Sequence, residues 1–357
     1  MRNSIKICLV IGILFGILVL TPQGKASIKA ALFIPQILPA IPVKPLEYLS
    51  GTPIRQEITF TSSQGISEAD IYLPSGNGVH PGVVFFMGIV PPEREEERIV
   101  ALAEGLARTG MVVLIPWLDT QTDNRLIVED IEILVDAFEY LQNHERTDRT
   151  RVGMGGICTG ASMAVVAAQS SRINEEVDFI NSFAGYYDAF DLVKATSAAT
   201  RFQSGNSADW TPDRLTKNMV TTHLIEGAEN DDQKILIEIL NGGIWNQTQF
   251  KSLSESGRSV LTLITGPNLS EAEKAINGLN YRTVAFLEAV SPSTNVAMLK
   301  ADVLLMHDLH DRLVPAEESR RFAEEVRKQG VEVYHTEFSL FQNAVQVHTD
   351  ETNGTSA

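Results

Sequence analysis

Arg151-Val152-Gly153-Met154-Gly155-Gly156-Ile157-Cys158-Thr159-Gly160-Ala161-Ser162-Met163-Ala164-Val165-Val166-Ala167-Ala168 reads as strand, sharp turn, helix. After Arg151 the first residues are small or apolar, the middle five are Gly-x-Cys-x-Gly, and the last eight suit a helix. This is the pattern of a nucleophile elbow, in which one reactive side chain sits in a strained turn between a strand and a helix. The neighbours at such a turn must be small, which Gly156 and Gly160 supply. The amides and dipole at the start of the helix favour a thiolate and a developing oxyanion. A buried cysteine in a glycine-rich turn of an ordinary α/β protein is the competing reading.

Outward from this stretch, apolar runs alternate with amphipathic ones. Gly82 to Met87 and Met111 to Trp117 are continuous apolar strands, and Val177 to Phe183 is another. Glu95 to Arg108, stopped by Gly110, and Leu126 to Asn143 have helical periodicity. Glu57 to Thr61 and Ala69 to Leu73 form a hairpin around Ser62-Ser63-Gln64-Gly65. Continuous apolar strands predict a mostly parallel central sheet covered by helices on both faces. The rhythm breaks from Ala184 to about Lys300, which reads as an inserted helical cap. It returns with Ala301 to His307, a helix from Pro315 to Gln329 closed by Gly330, and a last strand Val331 to Phe338.

The chain start is different in kind. Arg2 and Lys6 precede an uncharged apolar run, Ile7 to Leu20, and Gly24-Lys25-Ala26 has the small residues of a cleavage site. Residues 1–26 are expected to act as a signal peptide or, uncleaved, as a transmembrane helix and membrane anchor, so the protein is expected to be exported or membrane-anchored and extracytoplasmic. Residues 27–56 read as an apolar, Pro-rich linker, 57–183 and 301–341 as the core, 184–300 as the cap, and 342–357 as a polar tail. Hydrophobic content of 44% is enough for a buried core, and a formal charge of −16 argues against nucleic acid as partner. Cys8 and Cys158 are the two cysteines, so no disulfide framework forms once the leader is gone. No His/Cys cluster has metal-ligand spacing, and no cofactor is expected.

A thiol nucleophile needs a base, and the base an orienting acid. In a sheet of this order the acid follows the strand after the cap, where His307-Asp308-Leu309-His310-Asp311-Arg312-Leu313-Val314-Pro315 stands. Asp311 is the candidate, with Asp308 its local competitor. Only His335 and His348 follow it. His335 lies inside the last strand and reads as structural, which leaves His348, ten residues beyond Phe338, if the tail folds back. Oxyanion donors would be the amides of Thr159 and of Gly88 or Ile89.

Together these residues resemble the α/β-hydrolase fold, and within it the dienelactone hydrolase-like group, which uses a Gly-x-Cys-x-Gly elbow. The resemblance covers Ile54 to Phe183 and Ala301 to Phe338. It implies hydrolysis of a small-molecule ester, lactone or thioester through a Cys158 acyl-enzyme, with Asp311 orienting a histidine. Three departures stand out: Met87-Gly88-Ile89 replaces that group's activating glutamate, the cap is an addition, and Asn343 occupies the region where the family's histidine is expected. A catalytically degenerate protein binding a ligand under its cap is therefore the rival reading. A dinucleotide loop at Gly153-Met154-Gly155-Gly156-Ile157-Cys158, with Asp178 downstream, fits poorly, because the loop follows several βα units instead of opening them.

Overall fold

The computed structural model describes residues 16, 21–38, 41–91, 93–242 and 246–339. Ten strands and thirteen α-helices are assigned among them. Eight strands form one sheet in the order β1 (Ile54–Ser62), β2 (Gly65–Leu73), β4 (Val112–Trp117), β3 (His80–Phe86), β5 (Thr147–Ile157), β6 (Phe179–Phe183), β9 (Asp302–Asp308), β10 (Val333–Phe338). Only β2 runs against the rest: it is antiparallel to both β1 and β4, and every other pairing is parallel. This order, with β2 reversed and a nucleophile-type turn after the central β5, is the α/β-hydrolase fold.

The strands are apolar on both faces because both faces are covered. On one face Val83, Phe85 and Met87 pack with Tyr72, Val113 and Ile115 against Ile99 and Ala103 of helix α3 (Glu97–Arg108). On the other, Val84 and Phe86 join Leu114, Met154, Leu134 and Phe138 beneath α4 (Glu129–Gln142) and α5 (Thr159–Ala168). Successive residues of β3 thus serve opposite cores, as the two-residue strand period requires.

The stretch read as a linker is largely helical. Helix α1 (Pro22–Ile37) begins at Thr21, whose hydroxyl accepts from the Gly24 amide, and α2 (Pro45–Leu49) follows. Pro35 lies in the last turn, and Lys44 Nζ closes the helix end by donating to the Pro35 and Leu38 carbonyls at 2.9 Å each. Phe33 packs on α3 so closely that a Cβ on Gly105 would lie 2.9 Å from its ring. Among the described residues no helix is long and apolar enough to cross a membrane. Apart from Gly16, the Ile7 to Leu20 run lies outside them, as do residues 342–357.

Between β6 and β9 the chain forms the cap: α6 (Ala189–Ala198), a hairpin of β7 (Thr200–Gln203) and β8 (Asn206–Asp209), then α7 (Arg214–Gly227), α8 (Asn230–Gly242), α9 (Gln247–Ser252), α10 (Glu255–Ile264), α11 (Leu269–Asn277) and α12 (Tyr281–Ala289). The hairpin is the element periodicity did not reveal. Helix α13 (Glu317–Lys328) connects β9 to β10.

Candidate active site

Strand order places the site before any side chain is considered. β3 is followed by a connection to β4 on one side, while the chain later returns to lay β5 on its other side. The carboxyl ends of β3 and β5 therefore flank the point where the winding reverses, which is where α/β sheets open a crevice. Cys158 follows β5, and Gly88 follows β3.

The elbow has the strained geometry its sequence predicts. Cys158 adopts φ 55°, ψ −129°, a conformation costly for a residue with a Cβ. Its amide donates to the Phe183 carbonyl at 2.8 Å, and α5 starts at the next residue. The two flanking glycines are required by close backbone approach. A Cβ on Gly156 would lie 2.4 Å from the Phe86 carbonyl oxygen, and one on Gly160 2.3 Å from the same oxygen and 2.4 Å from the Gly88 nitrogen. Two further non-glycine residues with left-handed backbone, Val90 (φ 46°) and Ala184 (φ 55°), follow β3 and β6. Strain thus gathers at one edge of three adjacent strands, as it does at functional sites.

Burial and charge hold the thiol protonated. Burial first, then the nearby Asp311 carboxylate, push the Cys158 thiol up to about 12, against a hydrogen bond from the Thr159 amide. Asp311 stands at the same sheet edge in the loop after β9. Its Oδ1 accepts from the Leu313 amide at 2.6 Å and the Val314 amide at 3.2 Å. Burial raises its carboxyl to about 7 despite those bonds. Asp308, the competitor, instead closes a turn by accepting from the His310 amide at 2.8 Å.

The candidate donors are not equivalent. Gly88 lies against the Gly160 backbone and the Thr159 hydroxyl, and itself has φ +76°. The Ile89 amide is already committed, donating to the Thr159 hydroxyl at 3.2 Å. Gln121, whose importance the sequence does not signal, fixes this loop. Its Nε2 donates to the Gly88 carbonyl at 2.7 Å, its Oε1 accepts from the Leu118 amide at 2.8 Å, and its own carbonyl accepts from the Val90 amide at 2.6 Å.

Among the described residues no histidine hydrogen-bonds the thiol or Asp311. His307 Nε2 lies 3.6 Å from Asp311 Oδ2, yet the fully buried ring is spoken for: Nδ1 is 2.5 Å from Ser319 Oγ and Nε2 is 2.9 Å from the Val314 carbonyl. His335 stands mid-strand in β10, paired with Leu305 of β9 and away from the strand ends. His348 lies outside the described residues. The chain does leave β10 on the correct side: the Phe338 carbonyl accepts from the Leu309 amide, and the Phe338 ring lies 5.6 Å from that of Phe183. Ten residues extended reach about 33–36 Å.

The cap is stapled to this edge. Trp210 Nε1 donates to the Asp311 carbonyl at 2.8 Å, the Asp213 amide to the Arg312 carbonyl at 2.7 Å, and the Thr216 hydroxyl to the Leu313 carbonyl at 2.9 Å. At the far end of α7, His223 Nε2 accepts from the Leu126 amide at 2.9 Å, and Glu226 pairs with Arg125. Burial pulls the His223 imidazole down to about 4, in keeping with its acceptor role. Beneath the cap Tyr186, Met219, His223, Phe286 and Val290 help line an apolar cavity of about 20 Å³, room for about one water molecule. Tyr186 bridges core and cap: its carbonyl accepts from Ser162 of the elbow helix, and its hydroxyl donates to the Val290 carbonyl. No cluster of metal-ligating side chains occurs among the described residues.

No family model matches the chain, and no curated protein matches it. Solved structures do. An acylaminoacyl peptidase from Pyrococcus horikoshii aligns with 81% of this chain and 37% of its own, at 17% identity and TM-score 0.47. An esterase from Pyrobaculum calidifontis aligns over 88% of this chain and 84% of its own, at 14% identity and TM-score 0.46. The esterase Est22, solved with p-nitrophenol, aligns over 89% of this chain and 80% of its own, at 12% identity and TM-score 0.49. The chain thus spans little more than a third of the first of these. The fold assignment stands on strand order and register.

Proposed function

We propose that this protein is a carboxylic-ester-type hydrolase that cleaves ester, lactone or thioester bonds through Cys158. The observation that carries the reading is the φ 55°, ψ −129° turn at Cys158, between the central strand and α5, with Asp311 near enough to act on the thiol's ionisation. The base is assigned to His348, whose imidazole Asp311 would orient. The imidazole takes the thiol proton, and the thiolate adds to the substrate carbonyl, with the Thr159 and Gly88 amides facing the oxyanion. The tetrahedral adduct collapses to a thioester on Cys158, and the alcohol or thiol leaves with the proton from the imidazolium. Water, deprotonated by the same imidazole, then attacks the thioester, releases the acid and restores the thiol. The dienelactone hydrolase-like elbow supports a small ester or lactone as substrate. The apolar segment at residues 1–26 supports an exported or membrane-anchored enzyme.

The test is mass spectrometry of the full chain after mixing with a p-nitrophenyl ester. An acyl adduct on Cys158, lost in Cys158→Ala together with turnover, is expected. Turnover that survives Cys158→Ala would end the reading.

A second reading, a non-catalytic protein binding a small apolar ligand under its cap, is favoured by one observation: the thiol is held neutral. The apolar cavity beside Tyr186, about 20 Å³, would have to widen to admit the ligand. It requires ligand binding with no adduct on Cys158.

A further inference from the structure

Basic side chains concentrate at one end of the sheet edge opposite Cys158, where β1, β2, β4 and β3 lie, while the starts of β6, β9 and β10 at the other end carry Asp178, Asp302 and Glu332. Residues 1–46 contain Arg2, Lys6, Lys25, Lys29 and Lys44 and no acidic residue, in a chain of formal charge −16. Helix α1 runs antiparallel to α3: Phe33 contacts Gly105 one turn above the point where Lys29 Nζ donates to the Thr109 carbonyl at 2.6 Å. Thr109 and Gly110 precede β4, so α1 begins at the amino-terminal edge of the parallel strands. The residues before Thr21 therefore join the protein at that edge.

Three more segments meet there. Arg108 Nη1 donates to the Gly51 carbonyl at 3.2 Å, directly after α2. A Cβ on Gly51 would lie 2.5 Å from Ser75 Oγ, in the loop joining β2 to β3. Arg146 holds the same loop through the Pro74 and Gly78 carbonyls, at 3.0 Å each. Burial lowers the His80 imidazole, and Arg146 and then Lys29 push the same way, which reflects how closely the cations gather. The acidic residues on these segments are Glu47, which accepts from Gln36 Nε2, and Glu145. Set among the cations are large apolar side chains facing solvent: Tyr48 is 82% exposed, Leu49 69% and Val79 63%.

We propose that this end of the basal edge is a membrane-facing surface that rests on an anionic bilayer leaflet, with Tyr48, Leu49 and Val79 at headgroup depth and Lys25, Lys29, Arg108 and Arg146 among the lipid phosphates. Two features select lipid as the occupant: Thr21, which the uncharged run Ile7 to Leu20 precedes in sequence, lies at this end of the edge, and the charge on the segments gathered here is opposite to that of the chain as a whole. Exposed aromatic and aliphatic side chains ringed by cations are what an interfacial surface requires. β3, seven residues long, then holds the catalytic edge about 20–25 Å above the lipid, so the cap opens toward the aqueous phase. The inference rests on residues 1–26 staying with the chain, and the test separates the two.

The full chain carrying Cys8→Ser and Tyr48→Cys, bearing a nitroxide at position 48, is mixed with vesicles containing one third phosphatidylglycerol. Flotation reports attachment, and collision with oxygen or with an aqueous nickel chelate reports depth. Attachment is expected, with nickel accessibility at position 48 falling about threefold or more while oxygen accessibility rises, as at an interface. The same label at Tyr281→Cys, in the cap and 78% exposed before substitution, should not change. Salt at about 0.5 M, where the screening length is only a few Å, should reverse part of the effect at position 48. Flotation with unchanged nickel accessibility at position 48 overturns the surface while leaving the anchor. Failure to float overturns both. An equal effect on purely zwitterionic vesicles overturns the assignment to anionic lipid.

Discussion

Gly160→Ala should do far more damage than one methyl group normally does. The added Cβ would lie 2.3 Å from the Phe86 carbonyl oxygen, 2.4 Å from the Gly88 nitrogen and 2.8 Å from the Met87 carbonyl carbon, all of them backbone. Relieving the worst contact to the 3.4 Å where ordinary contact begins needs about 1 Å of main-chain displacement. No rotamer change achieves this, so the loop after β3 must part from the start of α5. Overpacking of this kind costs about 1–3 kcal/mol, read as a lower urea midpoint at unchanged m-value. The same movement carries the Gly88 amide away from Cys158, and a shift of about 1 Å at a reacting centre costs roughly a hundredfold in rate. The assays are urea unfolding followed by circular dichroism and turnover of a p-nitrophenyl ester. Gly242→Ala is the control, since a Cβ there meets nothing within 4 Å. If Gly160→Ala matches that control in both midpoint and turnover, the close approach of the two loops is wrong.

Three further outcomes follow from the charges and contacts described. Asp311 is raised to about 7 in the folded protein from 3.8, so the stability present below pH 3.8 is lost as pH rises to 7; Asp311→Asn, which keeps an oxygen for the Leu313 and Val314 amides, should flatten melting temperature across that window, and an unchanged pH profile would contradict its burial. His223 is lowered to about 4 from 6.5, so stability present above pH 6.5 is lost as pH falls toward 4; His223→Ala should remove that dependence and, by orphaning the Leu126 amide, cost about 1–3 kcal/mol at pH 7 by urea denaturation. His348→Ala should slow acylation of Cys158 by about a hundredfold or more, on the scale of general-base loss, whereas His335→Ala should leave the burst amplitude intact; equal rates for His348→Ala and the parent chain would remove His348 from the mechanism.

The elbow was legible because its chemistry constrains its neighbours: only Gly156 and Gly160 admit the Phe86 carbonyl where it lies. The position of Asp311 was legible because topology, not local sequence, decides which loop reaches the carboxyl edge. Helix α1 was not, because Pro35, Pro39 and Pro42 read as interruptions, while Lys44, which takes up two carbonyls at the helix end, stands nine residues beyond Pro35. Gln121 was invisible for a similar reason. A lone glutamine in a polar loop carries no periodicity, and its partner Gly88 is 33 residues away. The Thr159 hydroxyl takes up the Ile89 amide across 70 residues, so two candidates that looked interchangeable in sequence differ in the folded protein. His307 was read at the join of strand and loop with no sign of its burial, although packing from β9 and α13 makes it a wholly internal residue.

Helix α7 is fastened at one end to the strand-edge turn that carries Asp311 and at the other to the segment that, through Gln121, steadies Gly88. It therefore behaves as a tie-beam over the crevice, not as a hinged door. A lid that swung free would have to release the acid and the oxyanion loop together, dismantling what it covers. On the function proposed, substrate would have to pass beside the beam, and the side walls there would set which molecules gain entry. Remodelling the roof to admit a bulkier guest would disturb the floor as well, and changes of preference in this architecture should arise along the side walls.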